Sequence, residues 1–197
     1  MKITFENKES LVDRPAARKF KVTAEDLNEI KQAHNATIEG LGWEEYRDTL
    51  HTLQSPQVFS AGAPSKLTID GESVILIQAP KESPGLWDAE ENKIRPIKLG
   101  DSYIVRIDFE AKIDSNSGFF DFSLNIGGAI GKAFGEIKLF PKGMNVDHNF
   151  CVDFPIYTLG TFIENGGELI IEASHTMQVF NKRIIIFKIL DGKDGVQ

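Results

Sequence analysis

The stretch Gly127-Gly128-Ala129-Ile130-Gly131-Lys132-Ala133 comes nearest in this sequence to a phosphate cradle. A G-x-x-x-x-G-K-[ST] loop needs a glycine five residues before its second glycine, and a hydroxyl after the lysine to hold magnesium. Ile126 and Ala133 occupy those two places, so a glycine-rich turn is expected instead. The histidines His34, His51, His148 and His175 lie far apart and lack metal-ligand spacing. Cys151 is the one cysteine, which excludes an internal disulfide framework and a multi-cysteine zinc site. It alternates out of phase with the apolar row Phe150–Ile156 and has no activating group near it in sequence. Asp108 and Glu110 share one face of an alternating segment. Side chains two apart on a strand sit about 6–7 Å from each other, a separation that suits a glycosidase acid–base pair. Aromatic sugar platforms are scarce beside them, so a solvated face is the expectation. No catalytic residue, metal ligand or cofactor is predicted. Trp43 and Trp87 are the two large stacking surfaces, each followed by acidic residues able to hold sugar hydroxyls. Trp87, in Pro84-Gly85-Leu86-Trp87-Asp88, is the candidate glycan contact. The alternative for it is a loop plug over the mouth of the fold.

The elements that must position these residues fall into two languages. Thr23 stands where a helix N-cap belongs, Asp26 follows three residues on, and Glu25 and Asp26 suit the positive end of a helix. A helical pattern runs from Ala24 to about Gly40, where Gly40 and Gly42 supply a stop. Within it Leu27, Ile30, His34, Thr37 and Leu41 recur at steps of three and four, the a/d seam of a short bundle. That spacing fits a helix packed on its own domain as well as a stem of several helices.

After Trp43 the chain alternates with a period of two. Tyr103, Val105, Ile107, Phe109, Ala111 and Ile113 oppose Arg106, Asp108, Glu110 and Lys112. Phe120–Ile126, Phe150–Ile156 and Leu169–Ala173 repeat the scheme, and earlier strands are expected near 57–60, 65–69 and 73–79. Turns are signalled at Asp114–Gly118, Pro141-Lys142-Gly143 and Asn165-Gly166-Gly167. Roughly eight strands with little helix between them predict a mainly β protein, an antiparallel jelly-roll β-sandwich. The last strand is apolar on both parities. Ile184, Ile185, Ile186, Phe187 and Ile189 therefore call for a second cover, which an oligomer would provide.

Composition narrows the partners. Among 197 residues, 29 acidic side chains against 22 Lys and Arg leave a formal charge of −7. A phosphate-backbone groove and a polybasic membrane contact both need clustered cations, so neither nucleic acid nor membrane insertion is expected. No apolar run reaches the ~18 residues of a spanning helix, and the opening MKITFENKES lacks the apolar core of a secretory signal. Fourteen Phe against three Tyr and two Trp suggest a large, dry core.

Several stretches together resemble a known family. Lys21-Val22-Thr23-Ala24-Glu25-Asp26-Leu27-Asn28-Glu29-Ile30-Lys31 is similar to a helix opening of bacteriophage virion fibre and appendage proteins, including those of crAss-like phages. Gly85-Leu86-Trp87-Asp88, Gly100-Asp101-Ser102-Tyr103, Ile126-Gly127-Gly128, Phe140-Pro141-Lys142-Gly143 and Phe154–Leu159 look like the β-domain of such proteins. The resemblance covers about residues 21–190 and implies a non-enzymatic virion component made in the host cytoplasm. It implies residues 1–22 as an attachment segment, with Ile3 and Phe5 anchoring to another capsid or fibre-base protein. Residues 23–42 become a trimer stem, and 43–197 an outward-facing jelly-roll head on a homotrimer. A head fibre or decoration with weak adhesion to cell-surface glycan is the expected role. A carbohydrate-binding module, a tail-associated receptor-binding protein and a polysaccharide hydrolase are the competing ones.

Overall fold

A computed structural model describes residues 24–192 other than 72, 77 and 82. Ile3, Phe5 and the rest of the expected attachment segment lie outside the described residues, as does Thr23. Helix α1 (Ala24–Glu39) occupies the capped, heptad-spaced stretch and gives way to a turn at Gly40. The strand β1 (Gly42–Arg47) follows at once. A side chain at Gly42 would sit 2.1 Å from the Gln78 carbonyl oxygen, so only glycine lets these two backbones close up.

The rest of the chain is strand. In order come β2 (Gln57–Phe59), β3 (Ser65–Lys66), β4 (Ser73–Ile75), β5 (Trp87–Asp88), β6 (Lys93–Ile94), β7 (Ser102–Ile113), β8 (Phe119–Asn125), β9 (Lys132–Leu139) and β10 (His148–Tyr157). The short helix α2 (Gly160–Asn165), β11 (Glu168–Ala173) and β12 (Met177–Leu190) complete it. One sheet runs β10-β7-β12-β1-β4, with β2 also paired to β12, and a second runs β3-β11-β8-β9. All pairings between the named strands are antiparallel. From β7 on, the chain crosses repeatedly from one sheet to the other, which is how a jelly roll wraps two sheets around one core.

Alternation explains the layers. The odd residues of β7, Tyr103 to Ile113, are buried between the sheets, and Phe120, Phe122 and Leu124 of β8 meet them from the other side. Phe109, Phe120, Phe140 and Phe150 pack with centroids 4.9–5.8 Å apart, while Phe134 stacks on Phe154 at 4.4 Å. The phenylalanine excess is therefore spent on the seam between the sheets.

Several expectations change. Among the described residues twelve strands form instead of about eight, because β1, β9 and the β5–β6 pair are short or weakly alternating. Leu41 lies past the end of α1 and is not on the helical seam. After the bulge, from Lys182 to Lys188, the even residues of β12 point inward, so Ile184 and Ile186 belong to this chain's own core and are unavailable to a trimer core. The glycine stretch is a tight turn between β8 and β9, with positive φ at Gly127, Gly128 and Gly131.

Candidate functional site

The face of the six-stranded sheet that turns away from the core carries the arrangement with most chemical character. Its side chains come from odd positions of β1, β10 and β12 and even positions of β7, so register decides which meet. In one row Pro155, Ile104, Phe187 and Trp43 stand side by side across four strands. The Phe187 and Trp43 rings lie 6.3 Å apart, and Ile104 is 38% exposed. Tyr157, 69% exposed, stands one row further toward the end of the sheet that joins α1, with Ile189 and Leu190 also exposed. This half of the face is apolar and uncovered.

The next rows are charged. Asp153, Arg106, Ile185 and Glu45 are neighbours, then Cys151, Asp108, Arg183 and Arg47. Arg183 and Arg47 stand directly opposite each other, a like-charge pairing that costs stability unless acids intervene. Two do. Arg47 Nε donates to Glu45 Oε1 at 2.6 Å. Arg183 Nη2 donates to Asp108 Oδ2 at 2.7 Å, and Arg106 reaches the same carboxylate through Nε and Nη2 at 3.0–3.1 Å. Partial burial pushes the Asp108 carboxyl up, but the hydrogen bonds from Arg106, Arg183 and the Cys151 thiol outweigh it and hold the group below the usual range. A carboxylate so held is a poor proton donor. Burial and the neighbouring Asp108 also push the Cys151 thiol up, away from a nucleophile.

At this end β12 bulges between Phe180 and Arg183, where the register against β7 shifts. Asn181 has φ +52° and donates from Nδ2 to Glu110 Oε1 at 2.9 Å. The bulge and the twist of the sheet leave an open groove of about 610 Å³ over β7, with Arg47, Arg106, Arg183, Asn149 and Asn181 around it and Asp108 and Glu110 in its floor. Beneath it Lys182 is wholly buried, its Nζ 2.9 Å from buried Asp48, 3.0 Å from His51 Nδ1 and 2.7 Å from Gln57 Oε1. Burial pulls the Lys182 ammonium down to about 8 against the pull of Asp48.

The helix leaves its seam open. Leu27 is 39% and Ile30 58% exposed, and His34 is exposed too; the Thr37 side chain lies outside those described. Trp87 corrects the expectation of a glycan contact. It is 4% exposed, it belongs to the core, and its Nε1 donates to the Ile69 carbonyl at 3.1 Å. An indole placed this way has no free face for a sugar; it is the plug. Sequence reasoning missed the groove because its residues come from four strands, and only their shared outward parity marks them. Among the described residues no cluster of His, Cys, Asp and Glu could hold a metal ion, and no helix is long and apolar enough to cross a membrane.

No family model matches the chain, and no curated protein matches it in sequence. Solved structures are similar in shape. The Eiger TNF of S. frugiperda superposes with a TM-score of 0.51 at 10% identity, over 80% of this chain and 98% of that one. The PRD1 vertex protein gives a TM-score of 0.40 at 11% identity over 75% and 72% of the two chains. The coat protein of Tobacco streak virus gives 0.32 at 11% identity over 80% and 95%. The first likeness shows a shared jelly-roll fold. The other two are looser and add nothing to it.

Proposed function

We propose that this chain is a non-enzymatic structural protein of a virus particle, a homotrimeric head fibre or decoration that helps attach the particle to a host surface. The observation that carries the reading is the uncovered helical seam. A 16-residue helix is near the limit of what holds alone in water, and α1 does not bury Leu27 and Ile30 on its own sandwich. Parallel copies of the helix would bury that seam against each other. The apolar half of the sheet face lies at the end where α1 joins β1, so Ile104, Ile185, Phe187 and Ile189 would continue the same contact into the head. The place in a virion, with residues 1–22 docking on another capsid protein and the jelly roll outward, is supported by the resemblance of Lys21–Lys31 and the β-domain motifs to phage fibre proteins.

Light scattering on a sizing column tests the assembly. A mass near three times 21.9 kDa is expected, falling to a single chain in Leu27→Asp/Ile30→Asp. A monomeric parent protein would overturn the trimer. Antibody labelling of purified particles tests the location, and particles without the chain would overturn it.

A further inference from the structure

We propose that the charged groove on the six-stranded sheet binds a carboxylated sugar, a saccharide carrying a uronic or sialic acid. The inference rests on the attachment role proposed above and names its ligand class and its site.

The groove has donors to spare, while two of its carboxylates are already engaged. Asp108 already takes bonds from two guanidinium groups, and Asp48 is buried against Lys182. Arg47 uses its Nε on Glu45, and among the described residues its two Nη atoms make no hydrogen bond, nor does Nη1 of Arg106. Arg183 turns its Nη1 toward Glu45 at a loose 3.9 Å. Each guanidinium is anchored by an acid, and the two remaining Nη groups of Arg47 form a fork that a planar carboxylate matches by accepting two N–H bonds.

The remaining groups favour a sugar over a bare anion. Asn149 is exposed at the groove, and its side-chain amide carries both donors and an acceptor. Glu110 has given one oxygen to Asn181 and keeps the other for a hydroxyl. The carboxylates in the floor repel a dianionic phosphate, whereas a singly charged sugar brings hydroxyl donors to them. A volume of about 610 Å³ holds more than one sugar ring. Asn181, in the left-handed conformation that asparagine tolerates, turns the bulge so that its side chain lies at the groove wall. The groove lies at the end of the face away from α1, clear of the apolar half assigned to assembly.

The test is titration of the full chain with hyaluronan tetrasaccharide, oligogalacturonate and sialyllactose, followed by NMR or calorimetry. Binding of at least one acidic sugar is expected, weakened about tenfold or more when its carboxylates are reduced to alcohols and to a similar degree by Arg47→Gln. Equal binding of the carboxyl-reduced sugar overturns the proposal, as does no binding of any of the three at about 10 mM. Arg47 is half exposed, so its variant should fold, and the reduced sugar tests the same point with the protein unchanged. Light scattering on the same samples separates the two readings. A trimer that binds no acidic sugar overturns the groove and leaves the assembly; a monomer that binds one does the reverse.

Discussion

The two halves of one sheet face differ more than the two sheets do. Near the helix, Ile104 and Tyr157 stand exposed beside half-buried Trp43 and Phe187, with no charge between them. One row further on stands Arg106, and in the row after it Asp108, Arg183 and Arg47 occupy equivalent positions on the same strands. The pairing of β1 with β12 is unbroken through both, so the rows differ chiefly in side chains, with the β12 bulge opening the charged end further. Apolar surface gains from being removed from water in proportion to its area, while guanidinium and carboxylate groups lose by it unless each finds a partner. The apolar half is therefore suited to permanent contact, and the charged half to a surface that stays wet and selects what it meets.

The sharpest way to break that comparison is to charge the apolar half. Ile104→Asp with Tyr157→Asp should weaken self-association by about a hundredfold or more while leaving the monomer's melting transition in place, because both side chains are exposed in the single chain. An unchanged mass at micromolar concentration would mean the apolar half is not the contact.

Next in size is the buried pair beneath the groove. Lys182→Met leaves Asp48 buried with its cation gone and should cost about 3–5 kcal/mol in chemical denaturation. Lys182 also gives the parent protein a pH signature that this variant should lose. The folded chain releases the Lys182 proton near pH 8, and the unfolded chain near 10.4, so between them the unfolded state binds more protons and stability should rise with pH. The rise should end near pH 10, where burial, which pushes the Tyr46 and Tyr103 hydroxyls up, makes the folded state the one that keeps protons. A rise of equal slope in Lys182→Met would show that another group is responsible.

Trp87→Phe keeps an aromatic plug but loses the bond to the Ile69 carbonyl, and should cost about 1–2 kcal/mol with sugar binding intact. Loss of binding in a folded Trp87→Phe would move the ligand site from the groove to the loop. The smallest effect is expected of Arg47→Gln on stability, within about 1 kcal/mol, because the Arg47 side chain is half exposed and a glutamine amide can still donate to the buried Glu45.

Much of the fold is legible in the residues. Period-two alternation from Tyr103 to Ile113 and from Phe150 to Ile156 places β7 and β10 and says which side faces the core, because each strand turns successive side chains to opposite faces. The parity set by Ile184 and Ile186 also places Lys182 and Lys188 inside, a clue that an apolar reading of the whole run conceals. The short strands β1 and β9 escape such reading. Gly42–Arg47 holds three charged residues in six, and two of these, Glu44 and Glu45, are buried only because Tyr46, Ser83 and the arginines bond them. Trp87 shows the opposite limit, since a tryptophan beside an aspartate reads equally as a sugar platform and as a plug until its neighbours are known.

The amino-acid order alone determined the helix with its seam, the alternating strands, the phenylalanine core and the absence of a nucleotide loop, because each depends on spacings of a few residues. Only the tertiary structure decided which outward side chains became neighbours. Cys151, Asp108, Arg183 and Arg47 lie in β10, β7, β12 and β1, and they form one row because strand register brings them within reach. A shift of one residue in any pairing would turn that strand's set to the core and dissolve the groove, for the side-chain period of a strand is two.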